Sequence, residues 1–217
     1  MFPAVLFDFH DTLVHADSVA GWLADARHAV GERRPSEDTV GLVLAEIWSR
    51  ASTRYPDICW DLDPVQHRAA FLEVLTQESD CSHELATELY ASMPARWVAT
   101  DGAATLLAAL AAAGTRVGVV SNIALDIRPC LERLGLLEFV DAVVLSFEVG
   151  LVKPDARIFE LAAHSLGVPV TECLMVGDSP ATDAGAVAAG VPTLILPVVD
   201  GRPRLATVSR ALACALG

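Results

Sequence analysis

The hydrophobic pattern changes period twice along the chain. Ala4–Phe7 is a continuous apolar run that stops at Asp8. An apolar run without alternation predicts a strand buried on both faces of a parallel sheet. It also puts Asp8 at the carboxyl edge, where open α/β sheets bind their ligands. From Asp17 to Arg96 the spacing is helical and carries no strand signal. Trp22, Leu23, Ala26 and Val30 share one helix face, and Gly31 stops that helix. Ser36 is placed to open a second helix, with Val40, Val43, Leu44 and Ile47 along one side. Asp63-Pro64-Val65-Gln66 reads as a third start: Asp63 caps, Pro64 suits the first helical position and Gln66 reaches back. Phe71 and Leu75 give this helix its buried side, and Ser82 caps a fourth carrying Leu85, Leu89 and Met93. Arg54–Leu62 is an aromatic-bearing loop between the second and third helices.

From Thr100 the pattern alternates. Helices are expected at Asp101–Ala113, Asp126–Leu134, Asp155–Leu166 and Pro180–Ala189; the first three are stopped by Gly114, Gly135 and Gly167. Between them lie short apolar strands at Val117–Val120, Ala142–Leu145, Leu174–Val176 and Pro192–Leu196, and Leu205–Leu216 is expected as a terminal helix. Repeated strand–helix–strand units imply right-handed crossovers and helices on both faces of a parallel sheet. The expected class is α/β: a doubly wound, Rossmann-like parallel sheet built from 1–15 and 98–217, with an α-helical domain inserted at 16–97.

Composition narrows the partners. With 53% hydrophobic and 20% charged residues in 217, a sizeable core is available and general disorder is not expected. A net charge of −13 with no basic stripe argues against nucleic acid or an anionic membrane. The Ala-rich stretch 103–113 is too short to span a bilayer. The five cysteines, at 59, 81, 130, 173 and 214, lack CxxC spacing and read as reduced thiols of a cytoplasmic protein.

Three strand ends carry polar residues: Asp8, Ser121-Asn122 and Asp178. In a parallel sheet these ends share one edge. Lys153, before Pro154, is the only lysine in the chain, and Asp183 lies five residues past Asp178. Converging carboxylates suppress one another's ionisation unless a cation sits among them, and oxygen donors of this kind suit Mg2+. Blander readings stand beside these: a solvated loop for Asp8 or Lys153, a turn hydroxyl for Ser121, a helix-capping acid for Asp183.

Taken in order, Asp8-Phe-His-Asp-Thr-Leu13, Ser121-Asn122, Lys153-Pro154 and Gly177-Asp-Ser-Pro-Ala-Thr-Asp183 resemble the motifs of the haloacid dehalogenase (HAD) superfamily. Leu134-Gly135-Leu136, Ser146-Phe-Glu-Val-Gly150 and Ala188-Ala-Gly190 extend the likeness. It is closest to the branch with a helical C1-type cap, the phosphoglycolate phosphatase and β-phosphoglucomutase type. The resemblance implies a magnesium-dependent phosphatase acting on a small phosphorylated metabolite, as a monomer or homodimer. Asp8 would be the nucleophile. Asp8, the backbone carbonyl of His10, Asp178 and Asp183 would hold Mg2+. Ser121, Asn122 and the backbone there would bind the phosphoryl oxygens, and Lys153 would neutralise charge. The cap would set specificity, with Trp22, Arg27, Arg54 and Trp60 as candidate contacts.

One position departs from the family pattern. A second Asp usually stands where this chain has His10, followed by Asp11 where glycine is common. Histidine exchanges protons near neutral pH, so His10 is read as the replacement acid/base, with Asp11 the alternative. A metal-independent 2-haloacid dehalogenase and a non-catalytic phosphate-binding module are the rival readings. A phosphonatase is set aside because the cap holds no lysine.

Overall fold

The computed structural model describes residues 2–33, 38–199, 202, 203 and 205. They divide into two compact units, Met1–His15 with Val98–Gly217 and, between these segments, Ala16–Trp97. Strand β1 (Ala4–Phe7) is wholly buried along its length, as an apolar run in a two-sided sheet requires. Beyond it the chain turns tightly: the N–H groups of Leu13 and Val14 both donate to the carbonyl of Phe9, at 3.0 Å. Strand β2 (Val14–Ala16) follows and pairs with β3 (Trp97–Ala99) at the other end of the inserted segment.

The inserted unit is helical. Helix α1 (Val19–Val30) is capped by Ser18, whose Oγ accepts from Gly21 N–H at 3.3 Å, and ends at Gly31 with φ of 72°. The second helix expected from the spacing is two helices, α2 (Val40–Ala45) and α3 (Ile47–Arg54), broken at Glu46. No Gly or Pro marks that break, and the buried side stays in phase through Val40, Val43, Leu44 and Ile47. Ser36 lies outside the described residues. Helix α4 (Pro64–Glu78) starts at Asp63, which accepts from Val65 N–H at 2.8 Å and Gln66 N–H at 3.3 Å. Helix α5 (His83–Ser92) starts at Ser82, which accepts from Leu85 N–H at 3.0 Å.

Back in the first unit come α6 (Ala103–Ala112), β4 (Arg116–Ser121), α7 (Arg128–Arg133), β5 (Ala142–Leu145), the short α8 (Ser146–Val149), α9 (Ala156–Ser165) and β6 (Cys173–Gly177). A 3-10 helix covers Asp183–Ala189, followed by β7 (Thr193–Ile195) and the small antiparallel pair β8 (Val198–Val199) and β9 (Arg202–Pro203). The α-helix expected over Pro180–Ala189 is therefore a shorter 3-10 helix. It is tightened by i→i+3 bonds such as Gly185 N–H to Thr182 C=O, at 3.2 Å. Of the expected terminal helix, only Leu205 falls within the described residues.

Five strands form one sheet in the order β5-β4-β1-β6-β7, every pairing parallel. Counted in chain order this is 3-2-1-4-5, the Rossmann arrangement, whose direction of winding reverses beside the first strand. Phe7 is in register with Val119 of β4 and Val176 of β6, so Asp8 emerges at that reversal. Helix α9 packs on the sheet through Ile158, Phe159, Ala162 and Ala163, against Leu6, Val120 and Met175.

Candidate active site

Asp8 continues β1 by one residue. Its N–H donates to Val176 C=O at 2.9 Å, which anchors the backbone while the side chain, 11% exposed, leaves the sheet at its carboxyl edge. There it meets Lys153, whose Nζ lies 2.6 Å from Asp8 Oδ1 and 2.6 Å from Asp183 Oδ1. Lys153 is only 3% exposed and Asp183 is fully buried. The other oxygen of Asp183 accepts from Ser179 N–H at 3.0 Å. Gly177, the last residue of β6, explains part of this arrangement. A side chain there would run into the Asp183 carboxylate.

The electrostatics follow from crowding. Burial works against the Lys153 ammonium, but the charges of Asp8 and Asp183 outweigh it and raise its pKa. Burial pushes the Asp8 carboxyl up, and Lys153 only partly opposes this. Asp178 is pushed up to about 7, first by burial and then by Asp8, Asp11 and Asp183. One ammonium thus faces three carboxylates. Asp8, Asp178 and Asp183 each place an oxygen within 4.8 Å of the others. An all-oxygen donor set with surplus negative charge fits a hard divalent cation such as Mg2+.

The end of β4 supplies the second wall. Ser121 is buried there. Asn122 turns its side chain to the Lys153 backbone: Oδ1 accepts the Lys153 N–H at 2.7 Å and Nδ2 donates to its carbonyl at 2.9 Å. Ile123 is held in the same fashion by Ser146, whose Oγ accepts the Ile123 N–H at 2.9 Å and donates to its carbonyl at 3.1 Å. Ser146 was not among the candidates drawn from the sequence. The family-like stretch from Ser146 to Gly150 was the signal available.

The turn after Asp8 supplies the third. Asp11 has φ of 55°, the left-handed region that glycine occupies without strain. This accounts for glycine being common there. Asp is among the few side chains that tolerate it. His10 Nδ1 lies 3.2 Å from Asp11 Oδ2, and both side chains are about half exposed (44% and 42%). Burial works against the His10 imidazolium, but Asp11, Asp8 and Asp178 together raise its pKa. Burial likewise opposes the Asp11 carboxylate, and His10 overcomes it, so the Asp11 pKa is lowered.

The candidates in the helical unit have partners within that unit. Trp22 is buried, with Nε1 donating to Ser92 Oγ at 2.9 Å. Arg27 grips Asp38 with both terminal nitrogens, at 2.5 and 2.9 Å. Arg54 bonds Gln77 and Tyr55, and Trp60 stacks on Trp48 with ring centroids 6.4 Å apart.

The model of the haloacid dehalogenase-like hydrolase family matches residues 2–190. The chain belongs to the haloacid dehalogenase-like hydrolases. Phosphoglycolate phosphatase of Rhodospirillum rubrum is 32% identical over 204 residues, covering 89% of this hydrolase and 78% of that protein. Among solved structures, a HAD phosphatase from Thermococcus onnurineus superposes with a TM-score of 0.64 at 23% identity, covering 92% of this chain and 88% of the other. A 2-haloacid dehalogenase from Pseudomonas syringae gives 0.65 at 23% identity, covering 99% and 100%. These two likenesses concern the fold. Among the described residues, no helix of the hydrolase is long and apolar enough to cross a membrane.

Proposed function

We propose that this hydrolase is a magnesium-dependent phosphatase that cleaves a small phosphorylated metabolite through an aspartyl-phosphate on Asp8. The observation carrying this is the bridge from Lys153 Nζ to Asp8 and Asp183, with Asp178 completing a donor set for a cation. A nucleophile acting on carbon without metal has no evident need of three crowded carboxylates. The phosphatase name of the Rhodospirillum rubrum relative agrees with this reading. The unpaired Cys59, Cys81, Cys130 and Cys173 suit a reducing compartment such as the cytoplasm.

Asp8, the carbonyl of His10, Asp178 and Asp183 are the groups that would hold Mg2+, which supplies positive charge against the phosphoryl oxygens when bound. Asp8 forms the new bond to phosphorus while the ester P–O bond breaks and its electron pair leaves with the alkoxide. With His10 Nδ1 turned to Asp11, the proton for that alkoxide leaves from Nε2 of the imidazolium. Lys153 and the Ser121 loop hold the phosphoryl group in line. Water then attacks the acyl phosphate, His10 takes its proton, and inorganic phosphate departs with Asp8 restored.

The test is hydrolysis of an aryl phosphate with Mg2+, with EDTA and with Asp8→Asn. Turnover is expected with Mg2+, with loss in EDTA and recovery on adding the metal back. Asp8→Asn is expected to fall by about a thousandfold or more. No metal-dependent release of phosphate from aryl phosphate, sugar phosphates, phosphoglycolate, nucleotides or phospho-amino acids would overturn the proposal. Halide release from a 2-haloacid without metal would move the assignment to a dehalogenase.

A further inference from the structure

Lys153 reaches the site from a loop between α8 and α9, on four flexible methylenes; among the described residues no strand pairs with this loop. Its ammonium nevertheless meets two carboxylate oxygens, each at 2.6 Å. The root of the side chain must therefore be fixed by something else. The Asn122 amide does this: it takes the Lys153 N–H and gives to the Lys153 carbonyl, as a strand neighbour would. The reciprocal pair also settles which end of the amide is oxygen, because only one orientation matches a donor to an acceptor at both bonds.

The next residue is tied in the same manner. Ser146 Oγ takes the Ile123 N–H and gives to the Ile123 carbonyl, and Ser146 is completely buried. Two consecutive residues beyond β4 are thus fastened to the two ends of the 146–153 segment. The loop that follows Ser121 and the loop that carries Lys153 are one hydrogen-bonded body.

We propose that Asn122 is a positioning residue for Lys153: its side chain holds the lysine backbone, and so aims the ammonium at Asp8 and Asp183, while Ser146 fixes the loop from which Asn122 reaches. The side chain of Asn122 is on this view spent on the protein, and any phosphoryl contact at this position falls to its backbone. Replacement by Asp keeps the acceptor and loses the donor. Leu keeps the shape and loses both. The catalytic consequence rests on the phosphatase reading above; the placement of Lys153 does not.

The composition supplies a clean readout. Lys153 is the sole lysine, so the chain contains one ε-amine. The folded protein is treated with the N-hydroxysuccinimide ester of acetic acid, and acetylation of the Lys153 peptide is followed by mass spectrometry. In the wild type this amine is expected to be protected. Asn122→Leu should label at least about tenfold faster, with Asn122→Asp in between. Aryl phosphate hydrolysis by Asn122→Leu should lose about 10- to 100-fold in kcat, with KM changed by less than about threefold. Leu107→Ala, which opens a cavity in α6 on the same unit, serves as a destabilised control with Tm matched or lower. It should label like the wild type.

Equal labelling of Asn122→Leu and wild type overturns the inference, as does labelling of Leu107→Ala at the rate of Asn122→Leu. So does a kcat unchanged in Asn122→Leu where the wild type turns over. Faster labelling with no phosphate hydrolysis by any form, the wild type included, sustains the positioning of Lys153 and removes the phosphatase reading alone.

Discussion

At the edge of the parallel sheet Lys153 is buried and charged; in the middle of the helical unit His67 is as deeply buried and neutral. His67 stacks on Trp48 with centroids 4.2 Å apart, and its Nδ1 shares a 2.8 Å hydrogen bond with Tyr90 Oη. Phe71 lies against both Trp48 and Tyr90. Burial alone pushes the His67 pKa down to about 4, and burial pushes the Tyr90 phenol up to about 12. The low dielectric there has settled both groups in their uncharged forms, as packing demands. At the sheet edge the same low dielectric acts on Asp8, Lys153 and Asp178, yet negative charge is left over. A core built for stability alone would avoid that arrangement. The difference separates a polar group that packs from a charged cluster of the kind the proposed cation would complete.

The sharpest way to break the contrast is Lys153→Met. It leaves Asp8 and Asp183 facing each other with no cation between them. A buried pair broken from one side costs about 3–5 kcal/mol, and turnover should fall below detection. Because burial already holds the Asp8 carboxyl above the ordinary carboxylate range, the loss should shrink as pH is lowered and protonation removes the repulsion, and shrink again with Mg2+ at neutral pH. Urea unfolding under the three conditions reads this directly. An equal loss in all three would mean that the cluster is ordinary packing.

Acid should act on the helical unit with the opposite sign. His67 has a folded pKa of about 4 against an ordinary 6.5. Between these values the unfolded chain binds the extra proton, so stability is whole above about pH 6.5 and declines as pH falls towards 4. A shift of this size corresponds to about 3 kcal/mol at full effect. His67→Gln should flatten that part of the pH dependence of the urea midpoint. An unchanged slope in the variant would show that His67 is not the group responsible.

The two regions also differ in how far they could be read before folding. Helix starts at Asp63 and Ser82 and the stop at Gly31 are local chemistry, and the caps form where the residues call for them. The apolar run of β1 and the alternating pattern after Thr100 are enough for a parallel sheet, since crossover handedness removes most alternatives. The break at Glu46 was not legible, because the apolar spacing runs through it in phase and nothing local interrupts it. Nor was the 3-10 character of Asp183–Ala189, where Gly185 has no room for a side chain beside Pro154. At the sheet edge, residue types and order pointed to Asp8, Lys153, Asp178 and Asp183, whose meeting is a tertiary matter. Asn122 shows the limit: a polar residue beside Ser121 looks like a ligand contact, and only the folded chain shows its amide on the Lys153 backbone.

The finest probe of the sheet edge is Asp11→Gly. The left-handed φ of 55° costs a non-glycine residue about 1 kcal/mol, so glycine should stabilise the fold by about 0.5–1 kcal/mol. The same change removes the carboxylate that lies 3.2 Å from His10 Nδ1 and helps to raise the imidazole pKa against burial. If His10 supplies the proton to the leaving group, its acid form should then be lost at lower pH. The alkaline limb of the kcat/KM profile should move down, with the maximum rate changed only a few-fold. A drop of a hundredfold or more at every pH would instead make Asp11 the acid, and His10→Asn should then leave the rate nearly intact. A profile that does not move in either variant would take both residues out of proton transfer and leave the turn with a conformational role alone.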